Sequence, residues 1–292
     1  MKCLMMAGAA LAALAVVSAR AETPASASVE TVAKAATLET KIAAAGYRLQ
    51  GVDNFLGGRR VKFEFQGEPA WIVEPTGKAQ PGKWIWVTKW PGAFAEGTGQ
   101  IDALARGYHY MYLDDWKHVM NDAGVARAKA FYDFVTGPLG FTPKANLIGM
   151  SWGGFYATRF ASTHPDCVGR MYLDNPVLNF GAFNPAGWQG VKEAWNFPAG
   201  ENWKDKPSMP VSRTKALADA KIPILFMYGD KDTTVPPADN ADIFLARLKA
   251  AGGTPQVIVR PGANHHPHGF VDQKDWHNVV DFFEGRFPPA AK

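Results

Sequence analysis

The sequence predicts an α/β fold, a mostly parallel, doubly wound sheet with helices on both faces. Two observations carry this expectation. From Trp84 onward, short apolar runs alternate with helix-forming stretches at the spacing of strand–helix units, which implies parallel strands covered on both sides. One of these runs, Asn146-Leu147-Ile148-Gly149-Met150, passes directly into Ser151-Trp152-Gly153-Gly154 and then into a helical stretch from Phe155 to Ser162. The order strand, tight turn, helix presents the turn residue at the carboxyl end of a strand, where loops of this fold class carry function.

Composition sets the frame. Lys2 and the apolar run Leu4 to Val17 precede Ala19-Arg20-Ala21, so residues 1–21 read as a cleavable export signal, too short for a comfortable membrane span. The expected location is periplasmic or secreted, with no stable membrane anchor after cleavage. Cys3 would leave with the signal, making Cys167 the only remaining thiol, so a core rather than disulfides must stabilise the chain. An apolar content of 47% suits one large globular core. Lys2 and Arg20 also leave, so 29 basic residues face 27 acidic ones, with no basic stripe. No nucleic-acid partner is expected.

The elements follow in order. A tether and helix are assigned to residues 22–58, with Val32, Ala36, Ile42 and Ala43 near one face of a helix over Val29 to Ala45 and Gly46 ending it. The main domain is assigned to residues 59–292. It opens with alternating runs Arg60 to Phe65 and Ala70 to Val73 around Gln66-Gly67-Glu68, an antiparallel hairpin. Strands are then expected at Trp84–Val87, Tyr108–Leu113, Asn146–Met150, Arg170–Leu173, Ile222–Tyr228 and Gln256–Val259. The intervening helices are expected near Gln100–Ala105, Ala123–Val135, Phe155–Ser162 and Ala238–Ala250, with a closing helix over Asp272–Phe283. One stretch, about residues 176–210, breaks the alternation with Phe180, Phe183, Trp188, Trp195, Phe197 and Trp203 among Pro, Gly and Asn. It reads as a lid insertion over the strand ends; the same aromatics would serve equally as a satellite core beneath a long loop.

Gly149-Met150-Ser151-Trp152-Gly153 is a Gly-x-Ser-x-Gly turn that lifts the serine hydroxyl clear of the sheet, and the helix start behind it favours developing negative charge. A serine nucleophile needs a base, and the base a carboxylate. His109 falls in a strand, and His118, His164 and His277 fall on helix or loop positions. The other three histidines crowd one loop after the last strand, His265, His266 and His268. Zinc is the competing reading of such a cluster. Neighbouring histidines without further assigned ligands start a tetrahedral site poorly, so neither metal nor cofactor is expected. For the acid, Asp230 and Asp232 follow the Ile224 to Tyr228 run, and Asp174 ends another strand. Asp230 is equally suited to capping a turn.

With the Ser151 turn, the Gly229-Asp230-Lys231-Asp232-Thr233-Thr234-Val235-Pro236 segment and the terminal histidine loop, the chain from about residue 60 to the end resembles the α/β-hydrolase superfamily. That resemblance implies a Ser151–Asp232–His265 triad in the superfamily's chain order, with His266 as the rival base. It also implies an oxyanion hole made by the backbone amide of Trp152 and one from the loop after the Trp84 strand. That loop reads Thr88-Lys89-Trp90-Pro91-Gly92 where the superfamily has His-Gly; Trp90 is assigned, because Pro91 has no amide hydrogen. The chain is also similar to secreted bacterial members with a His-His-Pro-His loop and a tryptophan-rich strand, often encountered beside glycan-degrading enzymes. This second resemblance implies ester groups on sugars.

The expected activity is hydrolysis of carboxylic esters through an acyl-enzyme, on a small-molecule or glycan ester, acylated carbohydrate included. Trp188, Trp195 and Trp203 are assigned as substrate platforms. Asp115, beside Asp114 at the end of the Tyr108 strand, is assigned as the acidic clamp that a peptidase alternative would need for a free amine. A non-catalytic binding module on the same scaffold is the third reading.

Overall fold

The computed structural model of the chain describes residues 36–180, 189–198 and 201–287. The export signal, the tether, residues 29–35 of the first expected helix, and Phe183 and Trp188 of the insertion lie outside the described residues. Within them, a sheet of nine strands runs in the order β1-β2-β3-β5-β4-β6-β7-β8-β9. The first three strands are β1 (Leu49–Phe55), β2 (Gly58–Phe65) and β3 (Glu68–Val73), paired antiparallel to one another, and β3 is antiparallel to β5 (His109–Leu113). From β5 the sheet is parallel through β4 (Trp84–Val87), β6 (Ala145–Met150), β7 (Val168–Asp174), β8 (Ile224–Gly229) and β9 (Gln256–Arg260). The expected mostly parallel α/β architecture is what the chain forms.

Both hairpin turns are explained by backbone chemistry. Gln66 and Gly67 take φ of 50° and 86°, and Leu56 and Gly57 take 52° and 84°. Two successive positive φ angles match the right-handed twist of the flanking strands. The Gln66–Gly67 turn was legible in the sequence. The strand before it, β1, places the sheet's start at Leu49, ahead of the residue-59 boundary. Its side chains are mostly exposed, so it lacks the apolar alternation that marks β2.

Helices cover both faces. On one face lie α1 (Leu38–Ala44), α3 (Asp122–Thr136), α4 (Trp152–Thr163), α5 (Gln189–Trp195), α6 (Thr214–Asp219) and α7 (Ala241–Ala250), packed over Phe63, Phe65, Trp86, Leu147 and Leu173. On the other lie α2 (Gln100–Ala105) and α8 (Asn278–Phe283), over Tyr110, Tyr112, Ile148 and Tyr172. Neighbouring strand residues such as Leu147 and Ile148 therefore serve opposite cores, as the two-residue side-chain period requires. Helix starts are set by side-chain caps where the sequence supplies them: Asn121 Oδ1 accepts the Gly124 N–H at 3.0 Å to open α3.

Two boundaries differ from expectation. The closing helix divides into a 3-10 turn, Gln273–Asp275, and α8. A 3-10 turn at Pro237–Asp239 precedes α7, and Asn240 then turns its side chain away from the helix to accept the N–H groups of Leu178 and Asn179 at 2.8 and 3.1 Å. Helices α5 and α6 were not anticipated. No helix among the described residues is long and apolar enough to cross a membrane.

In the described part of the insertion, the aromatics pack with one another and with α4. Phe180 is fully buried and stacks on Phe155 at 4.8 Å. Trp195 meets both edge-on at 5.8 and 5.4 Å and donates its indole N–H to the Val119 carbonyl at 3.0 Å. Trp203 meets Phe197 at 4.9 Å. These rings form a satellite core, the second of the two roles their composition allowed.

Candidate active site

Strand β6 delivers Ser151 into a backbone geometry that few residues adopt, φ 49° and ψ −120°. Neighbouring chain holds it there. The Ser151 N–H donates to the Asp174 carbonyl at 3.0 Å, and the Ser151 carbonyl accepts from Gly154 at 2.9 Å and Val177 at 2.9 Å. A Cβ on Gly149 would lie 2.8 Å from the Gly153 carbonyl oxygen, as the small-residue requirement of the turn predicts. The tightest position is one residue later than the motif: a Cβ on Gly154 would sit 2.1 Å from Pro176 Cβ.

The loop after β9 brings His265 to the serine. His265 Nε2 lies 3.1 Å from Ser151 Oγ, and its Nδ1 lies 2.6 Å from Asp232 Oδ2. The other carboxylate oxygen of Asp232 accepts the N–H groups of Thr234 and Val235 at 2.8 and 2.7 Å. Asp232 and His265 are both nearly inaccessible to solvent, so the carboxylate is fixed before the imidazole bonds to it. With Nδ1 facing a carboxylate, the proton belongs on Nδ1, and Nε2 is left to accept from the serine. Asp230 does something different: its Oδ1 accepts the Gly262 N–H at 2.7 Å and ties the two loops together.

The remaining histidines divide. His268 is buried, with Nδ1 3.1 Å from Asp174 Oδ1. Asp174 also takes the Tyr172 hydroxyl at 2.7 Å, the Arg260 guanidinium at 3.1 Å and the Gly269 N–H. It thus orders the histidine loop without touching His265. His266 is exposed, its ring stacked on Phe94 at 5.6 Å. Partial desolvation of the stacked ring, and then the two neighbouring imidazoles, hold its pKa below the usual histidine range.

One contributor was not anticipated. Asn175, in a left-handed conformation with φ 41°, accepts the Gly229 N–H at 2.7 Å through Oδ1 and donates from Nδ2 to the His265 carbonyl at 2.7 Å. It thereby locks the end of β8 to the backbone of His265. The sequence carries no motif for such a residue.

A cavity of about 320 Å³ opens above the serine, lined among the described residues by Trp90, Ala93, Phe94, Met150, Ser151, Trp152, Thr234, His265, His266 and His268. It lies where strand order reverses around β4, the switch point at which open α/β sheets bind ligands. Trp152 starts α4 and Trp90 takes φ 59° in the loop after β4, so both residues assigned to the oxyanion hole border this cavity. Trp116 stands edge-on to Trp90 at 5.9 Å and to Trp152 at 5.8 Å, extending the aromatic rim.

Several expected ligand contacts fall elsewhere. Trp195 and Trp203 belong to the satellite core rather than the cavity wall, because their rings pack on Phe155, Phe180 and Phe197. Asp115 is buried against His118 Nδ1 at 2.7 Å and Arg127 at 3.5 Å, and it borders an internal void of about 20 Å³, room for one water. Asp114 pairs with the buried Lys89 ammonium at 2.7 Å. Neither acid borders the cavity.

Comparison with known proteins agrees with this geometry. The model of the prolyl oligopeptidase family matches residues 108–288, more than half of the chain. A candidate carboxymethylenebutenolidase of Yersinia pestis is 27% identical over 152 residues, 49% of this chain and 48% of that protein. The acylamino-acid-releasing enzyme of Rattus norvegicus is 26% identical over 128 residues, 41% of this chain and 17% of that protein. The chain thus spans half or less of the curated relatives it matches. Among solved structures, a truncated carbohydrate esterase from gut microbiota superposes with a TM-score of 0.59 at 15% identity, over 74% of this chain and 90% of that one. The acylaminoacyl peptidase of Pyrococcus horikoshii superposes with 0.56 at 15% identity, over 84% and 50%. These likenesses establish the α/β-hydrolase fold, and the family match, which includes Ser151, Asp232 and His265, makes this chain a member of the prolyl oligopeptidase family of serine hydrolases.

Proposed function

We propose that the chain is an exported carboxylic-ester hydrolase acting through an acyl-enzyme on Ser151, with acylated carbohydrate as its substrate class. In this reading His265 takes the serine proton as Oγ attacks the ester carbonyl, then returns it to the leaving alcohol. Asp232 holds the imidazole and stabilises its charged form. The amides of Trp152 and Trp90 receive the oxyanion, and water repeats the sequence to release the acid.

The observation that carries the ester reading is the cavity wall. Among the described residues it contains no carboxylate, and both acids suited to clamping a free amine are engaged elsewhere. An apolar, tryptophan-bordered cavity suits an acyl group or the face of a sugar ring. A second reading, cleavage of an acylated amino acid from a peptide, is favoured by family membership and by the acylaminoacyl peptidase fold likeness, since a blocked amine needs no acidic clamp.

A substrate panel decides between them. Turnover of aryl acetates and acetylated oligosaccharides, abolished by Ser151→Ala, supports the esterase. Turnover confined to N-acylated aminoacyl anilides moves the assignment to the peptidase. Failure of both, with no fluorophosphonate labelling of Ser151, leaves a binding module. Export rests on Lys2, the apolar run and Ala19-Arg20-Ala21; N-terminal sequencing that begins at Glu22 supports it, and a retained Met1 refutes it.

A further inference from the structure

The three histidines around the serine are arranged for more than one base. His265, His266 and His268 each offer a ring nitrogen within 4.8 Å of the other two. Their rings meet edge to face at 4.8 to 5.0 Å, and all three border the cavity. A tetrahedral zinc ion with bonds of about 2.05 Å requires nitrogens about 3.4 Å apart, so a pair at the 4.8 Å limit must close by about 1.4 Å. His266, the exposed member, can close on the other two by side-chain rotation.

Two of the three ligands carry the outer support that metal-binding imidazoles use. His265 Nδ1 is bonded to Asp232, and His268 Nδ1 to Asp174, each a buried carboxylate. That arrangement fixes the tautomer with Nδ1 protonated and leaves Nε2 as the donor atom. An all-imidazole donor set matches zinc or copper(II) and does not suit magnesium or calcium.

We propose that His265, His266 and His268 form an inhibitory zinc site over the catalytic serine. The ion takes Nε2 of His265, which otherwise accepts the Ser151 hydroxyl, and so removes the base while a fourth position stays open to water. No bond is broken and no electron moves; the metal and the serine proton compete for one lone pair. The inhibitory consequence rests on the triad reading above, whereas the metal site stands on the three imidazoles alone.

The test uses direct binding and labelling together. Cobalt(II) titrated into the full-length mature protein, read by its visible absorption, is expected to show one tetrahedral site, retained in Ser151→Ala. His266→Ala, at an exposed ring, is expected to weaken binding at least 10-fold, and Asp174→Asn about 10- to 100-fold through its effect on His268. Zinc is expected to block fluorophosphonate labelling of Ser151, and a chelator to restore it. Cobalt or zinc affinity unchanged in His266→Ala, or labelling unaffected by saturating zinc, overturns the proposal. A metal-free protein that never labels, yet binds cobalt through these residues, refutes the triad reading and leaves the metal site standing.

Discussion

Asp174 stands to His268 as Asp232 stands to His265: a buried carboxylate at or just past the carboxyl end of a strand, bonded to Nδ1 of a buried imidazole, at 3.1 and 2.6 Å. Only the second pair reaches the serine. Burial alone would raise the Asp174 pKa, but the bond to His268, Arg260 and the Tyr172 hydroxyl together outweigh it and hold the carboxyl below its usual range. Asp174→Ala strands those buried donors and is expected to cost about 3–5 kcal/mol of stability, read by urea denaturation. An effect below about 1 kcal/mol would mean the network is dispensable.

Ser151→Ala and His265→Ala are each expected to lower kcat about 10³- to 10⁴-fold or more, and Asp232→Asn by a similar factor. His266→Ala should lose at least 100-fold less than His265→Ala. Equal losses at the two positions, measured on one aryl ester, would reopen the assignment of the base.

Asn175→Ala removes the tie between Gly229 and the His265 carbonyl while leaving the triad side chains in place. The expected result is a 10- to 100-fold fall in kcat with little change in KM, because a displaced base weakens the transition state more than ground-state binding. Unaltered kcat in a folded variant would remove Asn175 from the positioning role.

A pH effect is expected from β5. Burial pushes the His109 pKa down to about 4, and the ring packs edge-on to Phe141 at 4.8 Å. Its depressed folded-state pKa means that the unfolded chain takes up the proton first. Stability is therefore complete above about pH 6.5, falls as pH drops toward 4, and levels below it. The loss is on the order of 2–3 kcal/mol. His109→Phe should flatten that slope in denaturation measured between pH 4 and 7; an unchanged slope assigns the acid sensitivity elsewhere.

Gly154→Ala tests the elbow's packing. The added methyl would fall 2.1 Å from Pro176 Cβ, so a loss of about 3 kcal/mol or more is expected. A melting temperature within 2 °C of the parent would show that the Pro176 segment yields easily.

The sequence was legible where one residue pattern had one structural meaning. Buried runs such as Trp84–Val87 read as central strands, and a glycine-flanked serine between a strand and a helix read as an elbow. Asp232 and His265, singled out by motif and order, are brought together by the fold. What stayed hidden depended on direction. Asp115 and Asp114 carry the same charge at adjacent positions, and only the fold shows one turned into a buried pair with His118 and the other toward Lys89. Trp195 and Trp203 had the composition of a ligand platform, but apolar area found a partner inside the protein. Strand β1 escaped notice because an exposed edge strand held by backbone bonds needs no apolar alternation. Asn175 acts through its amide alone, and nothing in a sequence distinguishes it from any other turn asparagine.

The backbone angles of Ser151 have a consequence for how activity arises. At φ 49° and ψ −120° a lone serine would relax at once to an ordinary conformation. It is held by the β7 carbonyl, the start of α4 and the Pro176 segment closing on Gly154, contacts from parts of the chain that meet only when the fold is complete. On the triad reading, a half-folded chain therefore owns a serine, a histidine and an aspartate but lacks the strained turn that presents the serine. Threonine at this position would add strain, because its branched Cβ resists positive φ.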